Sequence, residues 1–207
     1  MAVPQWFNIL STVFHLISFI AAGGITLLGY KAYQMMKVNK YLHFSISFLL
    51  ITISFVIMGL TNLILYLNLD RSVATISSII SMGFVLYAIF TIAGFLLLTV
   101  LTFKIRDVKI ISIFTIGIIA ALIFLPFIKI FHVILLILTL LLSYYFYSNC
   151  KKKKTMNAKL VFSAFTVMML SHVFHLASGT SEVIFAIGNT LLVAGYIILL
   201  ITLLRFK

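Results

Sequence analysis

Acidic side chains are nearly missing from this chain: three Asp and Glu stand against fifteen Lys and Arg in 207 residues. The three are Asp70, Asp107 and Glu182, and none lies inside an apolar run. A proton relay or ion-coupled pump normally keeps an ionisable group at mid-membrane depth, and intramembrane proteolysis by paired aspartates needs two carboxylates there. Both classes are disfavoured. Cysteine is reduced to Cys150, which rules out an internal disulfide and a cysteine metal finger. Proline occurs only as Pro4 and Pro126, so no helix interior carries a proline kink. Gly-rich phosphate loops are missing too. No basic n-region precedes the first apolar run, which argues against a cleavable signal.

What is present is apolar. Hydrophobic side chains make up 64% of the chain and charged ones 9%, against about 25% charged in a soluble protein. Mean hydropathy is +1.28, and several apolar runs approach the length that crosses a bilayer. The formal charge of +12 does not point to nucleic acid, because the basic residues fall in loops between apolar runs. The partner implied is the lipid bilayer. Seven helices are predicted: Trp6 to Tyr30, Leu42 to Leu65, Ala74 to Phe103, a short Ile110 to Leu125 stopped by Pro126, Phe127 to Tyr147, Ala158 to Ala177, and Val183 to Leu204. The expected fold is an all-α seven-helix bundle, one integral membrane domain over residues 1–207, multi-pass in the cell membrane.

Sidedness follows from the lysines and arginines. Thirteen of the fifteen fall after the first, third, fifth and seventh predicted helices, and only Arg71 and Lys129 fall on the other side. The positive-inside rule places the N-terminus outside and the C-terminus in the cytoplasm. Lys151 to Lys154 read as a topology anchor, with anionic lipid headgroups as the alternative partner. Tyr30, Tyr33, Tyr144, Tyr145 and Tyr147 gather at the inner interface, and Trp6 and Phe7 at the outer, as aromatic belts do.

A shift of 117 residues brings His15 onto His132, Tyr30 onto Tyr147 and Lys37 onto Lys154. One residue more brings Phe44-Ser45 onto Phe162-Ser163, and Gly83 can be matched with Gly188 after a deletion. Residues 6–103 and 127–204 therefore read as two copies of a three-helix unit, with 110–125 as a linker helix. An odd number of spans between them makes the repeat parallel. SWEET-type sugar transporters and rhodopsin-like bundles suggest the same outline, but the residues support neither. The helix interiors lack the proline the first uses, and the span Val183 to Leu204 lacks the lysine a retinal protein needs.

Site chemistry concentrates in Ser171-His172-Val173-Phe174-His175. Two histidines three residues apart share one helix face, inside a segment where a polar ring needs a partner or a task. At a rise of about 1.5 Å per residue, His132 and His172 both lie about 8 Å below the outer surface. His175 lies about a turn shallower, and His15 joins this layer if the repeat holds. His43 sits at the cytoplasmic border and snorkels. Three readings compete for the outer four. Interhelical packing bonds are one. Axial ligation of haem b by His15, His132, His172 or His175, in a cytochrome-b-like electron-transfer subunit with a redox partner, is another. A copper or zinc site with His172 and His175 as ligands is the third. Asn189 is placed to orient a histidine from behind. The functional expectation is the haem-binding subunit. Its rivals are a seven-helix sensor or assembly subunit whose histidines only pack, and a transporter of a small uncharged solute.

Overall fold

A computed structural model describes residues 5–67, 73–105, 112, 127–179 and 181–205. These residues form six long helices, and no strand occurs among them: α1 Gln5–Met36, α2 Asn39–Leu67, α3 Val73–Phe103, α4 Phe127–Lys153, α5 Met156–Ala177 and α6 Glu182–Leu204. All six are long and apolar enough to cross a membrane. The chain's described residues are all-helical, and it is a multi-pass membrane protein. Apart from residue 112, the short helix expected over Ile110 to Leu125 lies outside the described residues.

The helices run past the apolar windows that suggested them. α1 continues beyond Tyr30 to Met36, and α4 beyond Tyr147 through Ser148, Asn149 and Cys150 to Lys153. Hydropathy marks where lipid ends, whereas a helix ends where its backbone turns away. Here lysine supplies the turn. Lys37, Lys104 and Lys154 adopt φ of 54°, 55° and 52°, the left-handed conformation in which a helix closes its last carbonyls. The Lys37 N–H donates to the Tyr33 carbonyl at 2.7 Å, the Lys154 N–H to Cys150 at 2.9 Å, and the Ile105 N–H to Val100 at 3.1 Å. A cation also suits the negative end of the helix dipole. At the opposite ends, Thr155 caps α5 by accepting from the Ala158 N–H at 3.3 Å, and Ser181 caps α6 by accepting from Ile184. The turn-forming cluster after α5 contains Gly179 at φ 48°.

Each helix packs on its neighbour in sequence, and α1 packs on α6, so the six form a closed ring. Consecutive pairs are antiparallel, except that α3 and α4 are parallel. Phe84 near the start of α3 meets Phe131 near the start of α4, and Phe103 at the end of α3 meets Tyr145 towards the end of α4. One end of the bundle collects Lys31, Lys37, Lys40, Lys104, Lys151 to Lys154, Lys159 and Arg205. Among the described residues only Lys129 carries positive charge at the other end.

Large apolar side chains lie on both sides of each helix. Phe48, Phe55, Phe95, Phe131, Phe165 and Tyr196 are buried between helices, while Leu16, Ile20 and Leu27 project from α1. Since lipid is as apolar as leucine, this sorting reflects packing and polar satisfaction rather than escape from water. Ala21, Ala22, Ala88 and Ala164 let backbones approach. Hydroxyls in the helices bond back to carbonyls one turn earlier, Thr52 to Phe48 at 2.7 Å and Thr139 to Leu135 at 2.6 Å, as polar groups in hydrocarbon must. Others tie helices together: Thr91 donates to Ser54 at 2.9 Å, Asn62 to Ser11 at 3.1 Å, and the Ser143 and Thr166 hydroxyls are hydrogen-bonded at 2.8 Å.

Candidate functional site

α4 and α5 run antiparallel, which brings three histidines together at the end of the bundle away from the lysine cluster. His132 projects from the first turns of α4; His172 and His175 project from the last turns of α5 and share a face because they are three residues apart. All three are buried, with 8%, 2% and 7% of their surface exposed. His132 Nδ1 lies 3.4 Å from His172 Nδ1. The His132 ring also stacks on His175, at 4.5 Å between centroids and 17° between planes. The His172 and His175 rings are 6.3 Å apart. The cluster is a contact of imidazole with imidazole.

α6 makes this possible by leaving a side chain out. Gly188 faces His175, and a β-carbon there would stand 2.9 Å from Cε1 and 3.0 Å from Nδ1 of that ring. One turn earlier on α6, Phe185 packs edge-on against His175 at 4.9 Å. The cluster is not fully paired: His172 Nε2 and His175 Nδ1 are buried without a hydrogen-bond partner. Orphaned buried polar atoms cost about 1–3 kcal/mol each, and persist in native proteins where strain or function retains them.

His15 belongs to a different group. It is buried on α1, with Phe55 at 6.0 Å and Tyr87 at 5.9 Å around its ring. Tyr87 meets Phe131 at 5.3 Å, and Phe131 meets His132 at 5.0 Å, so a chain of ring contacts links His15 to the cluster. Asn189 is buried beside Gly188, but no hydrogen bond joins it to an imidazole among the described residues. His43 is exposed near the start of α2, at the lysine-rich end. Reasoning from depth alone did not single out Gly188, Phe185, Phe131 or Tyr87. The available signal was Gly188 beside a buried amide on the helix that follows the histidine pair.

His132 and His172 meet through their Nδ1 atoms at 3.4 Å, and His175 covers one face of the His132 ring. Among the described residues no group of three or more His, Cys, Asp or Glu is arranged to hold a metal ion. What the arrangement supplies is a buried, polar, interhelical contact. Residues 11–92 match the model of a family of unknown function, DUF7521, from within α1 to within α3. No curated protein and no solved structure matches the chain.

Proposed function

We propose that this is a non-enzymatic sensor or assembly subunit of the cell membrane, in which the histidines join helices rather than carry haem. The observation behind this reading is the direct packing of His132, His172 and His175 on one another. Electron transfer would need a macrocycle where imidazoles touch. Enzymatic chemistry would need a nucleophile or acid–base pair, and Ser171, the nearest hydroxyl in sequence, donates instead to the Met168 carbonyl at 2.6 Å.

Orientation and crossing number belong to the same proposal. Cationic residues crowd the end of the bundle where α1, α3 and α4 finish, which supports a cytoplasmic location for that end and an external N-terminus. With α3 and α4 parallel, a seventh crossing is proposed between Ile105 and Phe127. The two orphaned nitrogens, His172 Nε2 and His175 Nδ1, favour a second reading in which the cluster holds a ligand such as copper, zinc or haem.

Optical spectra and metal analysis separate these readings. Protein purified from haem-supplied cells is expected to show no Soret or α band in a reduced-minus-oxidised spectrum, and no stoichiometric copper or zinc. Bands that disappear in His132→Ala and His172→Ala but survive in His43→Ala would replace this proposal with the cytochrome reading. Metal lost in His172→Ala and His175→Ala would replace it with the metal reading.

A further inference from the structure

Helices α1 to α3 and α4 to α6 place equivalent atoms in equivalent contacts. A β-carbon on Gly94 of α3 would meet the Ile51 side chain at 2.6 Å and the Ser47 carbonyl at 2.7 Å. On Gly195 of α6 it would meet the Met168 side chain at 2.5 Å and the Ala164 carbonyl at 3.1 Å. Met168 and Ala164 follow Ile51 and Ser47 by the same 117 residues that separate His132 from His15. Three residues beyond Ile51 and Met168, Ser54 and Ser171 each donate back to that residue's carbonyl, at 2.7 and 2.6 Å. Lys37 and Lys154, again 117 apart, close α1 and α4 with the same left-handed turn and the same bond four residues back. The glycine correspondence is thus Gly94 with Gly195, not Gly83 with Gly188: Gly83 faces Thr61, whereas Gly188 faces His175.

This register aligns the ring sites. Phe55 and Met58 stand in the first half where His172 and His175 stand in the second. Seven residues before the matched glycines, Tyr87 stands where Gly188 stands, and Phe84 where Phe185 stands. Each half then holds a triangle of three rings around its α1 or α4 histidine. In the first half, His15, Phe55 and Tyr87 have centroids 6.0, 5.9 and 6.3 Å apart. In the second, His132, His172 and His175 are 5.6, 4.5 and 6.3 Å apart. The third ring comes from α3 in one half and from α5 in the other. Gly188 vacates on α6 the space Tyr87 fills from α3. Phe84 attends Tyr87 at 6.2 Å, as Phe185 attends His175 at 4.9 Å.

We infer that the histidine cluster is one version of a ring site carried by both halves of a duplicated three-helix unit, with His172, His175 and Gly188 as its identity-determining residues. The first half keeps the site in a form with one imidazole, one phenyl and one phenol. Phe55 and Met58 supply no nitrogen, so an all-imidazole site occurs once per chain. The DUF7521 match falls within the first of these halves. None of this depends on whether the cluster binds a ligand.

Exchanging the determinants as a set tests the inference. In the full-length protein, Gly188→Tyr alone drives a phenol into His175 and is expected to cut monodisperse detergent-solubilised protein about tenfold or more. Combined with His172→Phe and His175→Met, the same tyrosine meets first-half packing. Yield should then return to within about twofold of wild type, because interacting sites are non-additive. The mirror exchange compares Tyr87→Gly alone with Tyr87→Gly, Phe55→His and Met58→His together. Recovery by the full set in either half supports the inference. If neither triple variant outperforms its single substitution, the halves do not share a site and the inference fails.

Discussion

A methyl group added to Gly188 would stand within 3.1 Å of three atoms of the His175 ring, and that ring has little freedom to retreat. His132 stacks on it at 4.5 Å and Phe185 meets its edge at 4.9 Å. Gly188→Ala should therefore destabilise the detergent-solubilised protein by about 1–3 kcal/mol, the usual cost of overpacking, visible as a lower thermal midpoint. In a His175→Ala background the same substitution should be nearly neutral, because the clashing ring is gone. Equal losses in both backgrounds would mean that Gly188 serves the helix backbone rather than the imidazole. The histidines themselves were legible in the sequence, because spacing and depth put His132 and His172 at one level. Their mode of contact was not. Depth counting fixes a coordinate along the membrane normal and leaves rotation about each helix free, so it could not show which rings face one another, nor place His15 against Phe55 and Tyr87.

Among the elements, helix ends show most clearly what patterning missed. Apolar windows located all six helices but ended α1 near Tyr30 and α4 near Tyr147, because composition changes there. The backbone continues to Lys37 and Lys154, where a left-handed residue stops it. Neither position is glycine, so the usual terminator signal was lacking. Lysine in that conformation carries a cost of roughly 1–2 kcal/mol that glycine avoids. Lys37→Gly should raise the unfolding free energy by about 0.5–1 kcal/mol, allowing for the greater freedom of glycine in the unfolded chain. An unchanged or lower thermal midpoint would mean that the lysine side chain contributes more than its backbone costs. Thr155→Ala removes the acceptor for the Ala158 N–H and should lose about 1 kcal/mol, as an N-cap does.

For the whole molecule, direction rather than contact carries the strongest consequence. The ring closes through α3 against α4 and α1 against α6, and the first of these seams is parallel: Phe84 with Phe131 at one end, Phe103 with Tyr145 at the other. Two parallel spans adjacent in the described order cannot be joined on one side of a bilayer. The described chain leaves α3 at the lysine-rich end and enters α4 at the opposite end, which is why a seventh crossing is proposed between Ile105 and Phe127. Cysteine labelling in sealed vesicles reads this parity directly. In a Cys150→Ser background, Lys104→Cys should react with a membrane-impermeant maleimide from the face that also labels Lys154→Cys. Ile128→Cys should react from the face that labels Gly179→Cys. Labelling of positions 104 and 128 from the same side would leave six crossings, and would require α3 and α4 to run antiparallel, against the ring contacts that join them.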